Sequence, residues 1–289
     1  MSKVIFIFIF IFIQNSLAEL PLTVENIITN KGKFKLDLSM SYNNLELQGV
    51  QASDGVLIQT GPTSFVSVPS KVGQTQINSD ILIANIGVRY GFSDNLEGYL
   101  RVNYLNANSR VTDLSGSSST SDSKLADTWV GLNYLFSEDM GTPALIGSIE
   151  TTLYEEYTSD NAQFKSYQIG VTTYRAIDPI VLSLTSGYRF NQVRKYDNID
   201  YKPGNFFFIS PSVGFAVNDT ITLTTGFQWL NKQPDKINNT NQGALSTNTD
   251  LILGMGYGQA KNSIINTTLK ANISGRGGSD LRVNWLYSF

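Results

Sequence analysis

The chain contains no cysteine and no histidine among its 289 residues. Without cysteine it has no disulfide framework, no zinc ribbon and no iron–sulfur cluster. Without histidine it has no Ser-His-Asp or Cys-His nucleophile system, no histidine-ligated zinc and no haem histidine. It also has no Walker motif and no G-x-S-x-G elbow. The sequence therefore predicts a protein that is not an enzyme and binds no cofactor.

Charge is also scarce, and the sign of the balance excludes one class of partner. Charged residues make up 16% of the chain, and the formal net charge is −3. Proteins that bind nucleic acids need clustered lysine and arginine to neutralise phosphates. The sequence therefore predicts no nucleic-acid partner.

Long apolar runs are limited to the N-terminus. Lys3 gives a positive start, ten apolar residues follow over 4–13, and Ser16-Leu17-Ala18 is a small-x-small cleavage site. This pattern predicts a secretory signal peptide over 1–18, too short to span a bilayer. No later stretch approaches 18 consecutive apolar residues. We expect 19–289 to form a single exported domain.

The mature chain shows alternation of apolar and polar residues, which is typical of β-strands. In the last segment, for example, Leu281, Val283, Trp285, Tyr287 and Phe289 occupy every second position. Twelve such segments can be read. Their approximate spans are 33–48, 77–91, 96–109, 124–136, 143–155, 163–176, 180–192, 204–217, 220–232, 247–258, 263–274 and 280–289.

The connections between these segments alternate between short turns and longer polar loops. Short connections such as 93–95 and 178–179 alternate with long ones such as 49–76, 110–123 and 193–203. This asymmetry is typical of bacterial outer-membrane barrels. The sequence therefore predicts an all-β, twelve-stranded antiparallel transmembrane β-barrel of the bacterial outer membrane, with both termini on the periplasmic side. Within 110–123, the Ser/Gly-rich stretch 115–123 is expected to be a mobile tip.

In a membrane barrel the apolar face of each strand contacts lipid, and the polar face lines the lumen. We therefore expect outer-membrane lipid and lipopolysaccharide around the barrel. Aromatic residues near strand ends are expected to form interfacial girdles, although strands are rich in aromatics in any case. The aromatic residues are Tyr90, Tyr104, Tyr134, Phe136, Tyr188, Phe190, Phe215, Trp229, Tyr257 and Tyr287.

Charged side chains are costly on the lipid face, about 2–4 kcal/mol for arginine or lysine at the midplane, so we assign them to the lumen. Arg89, Glu97, Tyr99 and Arg101 fall on one hairpin, where two arginines and one glutamate leave a positive excess. This group is a candidate constriction that selects solutes; the alternative is a structural set of paired charges near the rim. The other predicted lumen charges are Asp127, Glu150, Arg189, Asp250, Lys270 and Arg282.

The C-terminal strand carries aromatic residues at alternate positions, Trp285, Tyr287 and Phe289, and ends on the last of them. This pattern resembles the signal that outer-membrane barrels present to the barrel-assembly machinery. We therefore expect that machinery to be a partner of the chain.

Two segments resemble the outer-membrane family named for the phenol meta-cleavage (MetA) degradation pathway. The first is Arg89-Tyr90-Gly91-Phe92-Ser93-Asp94-Asn95-Leu96-Glu97, and the second is Ala126-Asp127-Thr128-Trp129-Val130-Gly131-Leu132-Asn133-Tyr134. In the second, alanine stands at 126 where the family pattern has glycine. The resemblance implies a small twelve-stranded barrel that takes up or exports small, often hydrophobic molecules.

Three functions remain open from the sequence. The first is a narrow channel or transporter for an unidentified small solute, its lumen further closed by the loop 49–76. The second is a closed structural or surface-interaction barrel that acts through its long loops. The third is a secretion pore for an exported polypeptide. The sequence does not distinguish among these functions.

Overall fold

The computed structural model describes residues 28–289 except 48–49, 52–55, 69–72, 75, 114–115, 158–159, 197–198, 261 and 275–277. The predicted signal peptide over 1–18 lies outside the described residues. Over the described part of the chain, no helix has the length and apolar character needed to cross a membrane.

Twelve long strands form the wall, as the alternating pattern predicted. Most of the predicted spans agree with the observed ones to within three residues. The first six strands are β1 (Phe34–Leu47), β2 (Gln76–Gly91), β3 (Leu96–Asp113), β4 (Gly116–Ser137), β5 (Ala144–Tyr157) and β6 (Ser166–Ile177). The others are β7 (Ile180–Asn191), β8 (Phe206–Asn218), β9 (Ile221–Lys232), β10 (Ser246–Ala260), β11 (Ser263–Asn272) and β12 (Ser279–Ser288).

The sheet closes on itself, which confirms the predicted barrel. Each wall strand pairs antiparallel with the next one in the chain, and β12 pairs with β1 from Lys35↔Ser288 to Asn44↔Ser279. Every wall strand is therefore paired on both sides, which a lipid environment requires because it offers no water to backbone groups. The extension of β4 over 116–126 pairs with β3 alone among the described residues. The connections after β2, β4, β6, β8 and β10 lie at one rim, here called the short-turn end. The other connections lie at the opposite rim, here called the long-loop end; all of them except the one after β3 are longer than two residues.

The prediction of a loop over 110–123 is wrong, because β3 and β4 continue through most of this range. They pair from Asn106↔Ser123 to Asp113↔Gly116, so the Ser/Gly-rich stretch belongs to a long hairpin. The side chains from Ser117 to Ser123 are exposed. Since serine and glycine give no apolar alternation, the pattern could not reveal a strand whose pairing rests on backbone hydrogen bonds.

The connections after β1, β5, β7 and β9, at the long-loop end, also contain short strands. Those after β1 are Val50–Gln51, Val56–Gln59, Phe65–Val68 and Gly73–Gln74, and the one after β5 is Asp160–Ala162. Arg194–Tyr196 and Ile199–Lys202 form one hairpin, and Asp235–Ile237 and Thr240–Gln242 form another. These strands join in one four-stranded sheet. The loops after β7 and β9 are therefore held together at this rim.

The outward face of the wall is apolar. Ile86 and Ile149 are 57% and 56% exposed, and similar side chains continue around the barrel. A surface of this kind fits contact with lipid better than contact with water. Aromatic pairs occur at both rims, as the girdle interpretation predicts. They are Phe34–Tyr90, Tyr134–Phe136 and Tyr287–Phe289 at the short-turn end, and Tyr188–Phe190 and Phe207–Trp229 towards the other end.

Candidate functional site

A β-hairpin from the connection between β1 and β2 lies inside the barrel. Its strands Val56–Gln59 and Phe65–Val68 pair with each other and not with the wall. The turn closes through the Thr60 amide, which donates to the Ser64 carbonyl at 2.8 Å. We call residues 56–68 the lumen hairpin. The sequence predicted that loop 49–76 narrows the lumen, and the structure places this part of it there.

Apolar contacts hold the lumen hairpin at two places on the wall. Phe65 packs with its ring edge towards Phe206 and Phe208, at centroid distances of 5.1 and 4.8 Å. On the other side, hairpin residues join wall residues in a second buried cluster. Its members are Ile58, Val66, Val68, Ile81, Ile83, Leu105 and Ala126.

Hydrogen bonds also hold the lumen hairpin in place. In each of them a wall side chain donates to an oxygen atom of the hairpin. Arg189 Nη1 donates to the Phe65 carbonyl oxygen at 2.9 Å. Arg101 Nη1 donates to Ser64 Oγ. Gln228 Nε2 donates to Gln59 Oε1 at 3.1 Å, and Lys270 donates to the same oxygen. Oxygen atoms of the hairpin therefore occupy donors that face the lumen from β3, β7, β9 and β11.

The first part of the predicted constriction forms an ion-pair group near the short-turn end. Arg89 Nη2 donates to Asp37 Oδ2 at 2.8 Å, and its Nη1 donates to Glu97 Oε1 at 3.5 Å. Glu97 is fully buried and also accepts from Asn133 Nδ2 at 2.9 Å and from the Thr29 amide at 2.7 Å. Such a carboxylate is held by several charge-assisted hydrogen bonds.

The second part of that group meets a carboxylate from another strand. The Tyr99 hydroxyl donates to Glu150 Oε2 at 2.9 Å, and Arg101 Nη2 donates to the same oxygen at 3.0 Å. These contacts cross β4, where residue 131 is glycine. A Cβ atom at Gly131 would lie 2.4 Å from the Tyr99 hydroxyl. The small residue is therefore required for this contact.

The expected positive excess at the predicted constriction is not present in this paired group. Arg89 pairs with Asp37 and Glu97, and Arg101 pairs with Glu150, so three carboxylates meet two guanidinium groups. Asp37 and Glu150 come from β1 and β5, which the pattern of one hairpin could not show. The structure thus places the four predicted residues on the lumen side, in two subgroups that other strands complete.

The remaining predicted lumen charges lie on two sides of the lumen hairpin. Asp127 is buried on β4 and accepts from Asn103 Nδ2 at 2.5 Å. Asp250 accepts from Asn272 Nδ2 at 2.8 Å, and Lys270 donates to Gln228 Oε1 at 2.9 Å. Arg282 lines a cavity on the lumen side of β12. By strand order, β10–β12 face β4 and its neighbours across the barrel.

Trp129 is a central lumen residue that the sequence analysis did not single out. It is fully buried, and two guanidinium groups lie over its ring, Arg189 at 4.5 Å and Arg101 at 5.5 Å from the centroid. A desolvated cation on an indole face is stabilised by about 2 kcal/mol. Trp129 was visible only as part of a family-like motif. Its inward direction follows from the strand period of two, because it alternates in phase with the buried Asp127 and Asn133.

The segment that precedes β1 lies along the inner side of β2 and β3 at the short-turn end. Gly32 donates its amide hydrogen to the Gly91 carbonyl at 2.8 Å, and Thr29 is fully buried against Glu97. A Cβ atom at Gly91 would come within 2.4 Å of the Thr29 and Asn30 carbonyl oxygens. Glycine at 91 therefore allows this segment to lie against the wall.

Two cavities flank the lumen hairpin. The larger, of about 120 Å³, is lined by the hairpin turn together with Arg89, Tyr99 and Arg101. The smaller, of about 40 Å³, lies towards the long-loop end and is lined by Asp127 and Arg189 among others. Each is large enough for water, which needs about 10–15 Å³. Hairpin residues line both cavities and lie between them.

The predicted assembly residues form the outward face at the end of β12. The Tyr287 and Phe289 rings lie 4.9 Å apart, and Trp285 lies 6.0 Å from Tyr287. Phe289 is 62% exposed, and its amide donates to the Phe34 carbonyl at 2.9 Å. The structure therefore leaves this row accessible from outside the barrel.

Comparison with known proteins identifies the fold but not a family, since no family model matches the chain. An outer-membrane channel from Pseudomonas putida F1 is similar with a TM-score of 0.63 and 10% identity, over 91% of this chain and 98% of that one. The translocator domain of the autotransporter NalP from Neisseria meningitidis is similar with a TM-score of 0.56 and 10% identity, over 90% of both chains. The transport unit of the autotransporter AIDA-I from Escherichia coli is similar with a TM-score of 0.54 and 10% identity, over 93% of this chain and 94% of that one. The chain therefore has the fold of outer-membrane barrels.

Proposed function

We propose that the protein is an outer-membrane channel for a small solute and that the lumen hairpin closes it in this conformation. In this proposal the apolar outer face contacts outer-membrane lipid and lipopolysaccharide, after export with a cleaved signal peptide. The barrel carries out no chemical reaction. It also belongs, in our proposal, to the family named for the phenol meta-cleavage pathway, which its two motifs resemble.

One observation supports a channel above all: a separate hairpin, in addition to side chains of the wall, fills the lumen. The hairpin pairs only with itself and is connected to β1 and β2 through the residues on either side of it. Part of the wall behind it is polar and charged, where Arg101, Arg189 and Lys270 donate to hairpin oxygens. Water can solvate these polar groups when the hairpin moves, whereas it would not solvate a wholly apolar wall.

The ion pairs of Arg89, Glu97 and Arg101 are proposed to narrow the passage below the hairpin turn. Arg89 and Arg101 line the larger cavity together with Tyr99. A solute that passes the hairpin would next meet these side chains. Fixed charges in a confined passage act more strongly on a solute than they would in bulk water.

A second function, a closed structural barrel, is favoured by the apolar packing of the hairpin. Ile58, Val66 and Val68 are buried with wall residues in one cluster, and Phe65 is buried in another. Burial of such side chains stabilises the closed form by about 1.5–3 kcal/mol each. In this alternative the hairpin never leaves the lumen, and the exposed loops carry the function.

Conductance in planar bilayers separates these two functions. In one variant, residues 56–68 are replaced by a Gly/Ser linker of equal length, here called the linker variant. We expect steady conductance from the linker variant and only brief openings from the wild type. A wild type without any openings, although the linker variant conducts, would favour the closed barrel over the channel. A folded linker variant without conductance, where folding is checked by the heat-dependent gel shift, would also reject the channel.

A disulfide lock tests whether the hairpin is the moving part. A Cβ atom at Gly170 lies 3.1 Å from Thr63 Cγ2, which places the two side chains within reach of a disulfide. The same Cβ lies 2.6 Å from Ser148 Oγ, so the lock variant is T63C/S148A/G170C. The native chain has no cysteine, so no other disulfide can form. We expect no openings when the lock variant is oxidised and wild-type openings after reduction, with T63C/S148A as the control.

A further inference from the structure

Phe65 of the lumen hairpin makes two different contacts with the wall. Its ring lies 5.1 Å from Phe206 and 4.8 Å from Phe208, in a buried cluster that also contains Leu230. The Phe208 ring occupies space beside Gly187, where a Cβ atom would lie 2.6 Å from it. The wall therefore provides an aromatic recess that one phenyl group fills.

The carbonyl oxygen of the same residue contacts Arg189. Arg189 Nη1 donates to this oxygen at 2.9 Å, and Arg189 Nη2 donates to Ser166 Oγ at 3.2 Å. Arg189 as a whole residue is 3% exposed, and its Nε is buried without a hydrogen-bond partner among the described residues. Two neutral oxygens thus meet a cation whose preferred partner is a carboxylate.

Two acidic groups near Arg189 have contacts with other residues, although Glu155 Oε1 has no hydrogen-bond partner among the described residues. Glu155 forms an ion pair with Arg194, and Asp127 accepts from Asn103 Nδ2. In the described part of the chain, no carboxylate lies within the 4.0 Å of an ion pair to Arg189. The other guanidinium over Trp129, from Arg101, is paired with Glu150. Of the two guanidinium groups over Trp129, that of Arg189 is therefore the one that can bind an anion once the hairpin leaves.

We infer that the lumen binds a small aryl-substituted carboxylate and that Phe65 occupies its place in the closed barrel. Phe65 joins a phenyl ring to a carbonyl carbon through two intervening carbons, which is the skeleton of 3-phenylpropanoate. The phenyl group of the solute takes the recess formed by Phe206, Phe208 and Leu230, and its carboxylate takes Arg189 over Trp129. This inference rests on the proposed channel function and names the solute class.

Binding to the open site provides the first test. The probe is 3-phenylpropanoate, titrated by calorimetry into the linker variant, with 3-phenylpropan-1-ol and propanoate as analogues that lack one group each. We expect the carboxylate to bind at least about tenfold more tightly than either analogue. R189Q in the linker variant should remove that preference for the carboxylate over the alcohol. R175Q, which changes an arginine paired with Asp139 at the short-turn end, should not.

Competition with the hairpin in the full chain provides the second test. In the lock variant, 3-phenylpropanoate should lower the rate at which the disulfide forms on oxidation, because solute and Phe65 exclude each other. The alcohol and propanoate should lower it much less. R189K retains a cation without the planar fork, and is expected to show an intermediate effect if R189Q does not fold.

The outcomes separate this inference from the proposed function. If the linker variant conducts but shows equal affinity for 3-phenylpropanoate and its alcohol, the carboxylate site is rejected and the channel stands. The same holds if the disulfide forms at an unchanged rate with the carboxylate present. If a folded linker variant does not conduct, the channel itself is rejected. Binding that R189Q leaves unaltered would place the anion elsewhere and overturn the inference.

Discussion

Tyr99 on β3 donates its hydroxyl hydrogen to Glu150 on β5 at 2.9 Å, although β4 lies between the two strands. The contact is possible because residue 131 on β4 has no side chain. It joins three neighbouring strands of the wall just below the lumen hairpin. The Tyr99 ring packs over Gly131, and its hydroxyl holds the Glu150 carboxylate in place beside Arg101.

G131A should therefore destabilise the barrel. A Cβ atom at this position would lie 2.4 Å from the Tyr99 ring and 2.8 Å from the Ile149 carbonyl oxygen. Overpacking of this kind costs about 1–3 kcal/mol. G254A is the control, since its nearest contact is at 3.3 Å from Thr224. The midpoint of urea unfolding in detergent should fall for G131A and change little for G254A; equal midpoints would contradict the packing argument.

R101Q should be more harmful than R101Q/E150Q. Both side chains are buried, and removal of the arginine leaves the Glu150 carboxylate without its cation. Breaking a buried pair in this way costs about 3–5 kcal/mol, and removing both charges avoids most of that cost. The fraction of heat-modifiable barrel in isolated membranes measures this. Additive losses in the double variant would show that the two side chains do not depend on each other.

E97Q should release the segment that precedes β1. Glu97 accepts from the Thr29 amide and hydroxyl and from Asn133, and these hydrogen bonds weaken when the acceptor loses its charge. Trypsin should then cleave after Lys31 or Lys33 faster in purified protein. E138Q changes an exposed carboxylate and serves as the control. A rate that is the same in E97Q and the wild type would show that Glu97 does not hold the segment.

F289A should reduce assembly more than stability. The side chain ends the exposed row formed with Trp285 and Tyr287, which we propose that the assembly machinery binds. F92A removes another exposed aromatic side chain, 56% exposed, at the same end of the barrel. Folded barrel in the outer membrane should fall severalfold for F289A only, while the unfolding midpoints of both variants remain similar. Wild-type levels of F289A would remove the role assigned to the terminal residue.

R89Q/R101Q in the linker variant should shift permeability towards cations. The change leaves Asp37, Glu97 and Glu150 without their guanidinium partners, so negative charge dominates this part of the passage. The reversal potential across a salt gradient measures the shift, with R175Q in the same background as the control. An unchanged reversal potential in folded protein would reject the constriction and leave these charges a structural role.

The sequence by itself determined the wall of the barrel. Alternation along each strand places one row of side chains towards lipid and the next towards the lumen, and this property depends only on neighbouring residues. It therefore predicted twelve strands, the short-turn rim and the lumen side of Arg89, Glu97 and Arg101. It missed the strands over 116–123, where exposed serines carry no such alternation.

Only the tertiary structure decided what fills the lumen and which charges meet there. Phe65 lies 124 positions before Arg189 in the chain, and their contact exists because the barrel closes around the hairpin. Asp37 and Glu150 reach the predicted arginines from strands that pattern reading treats separately. Side-chain partners across a closed lumen depend on strand register, bulges and a glycine at 131. Local periodicity carries no information on these, because it records the direction of a side chain and not what lies opposite.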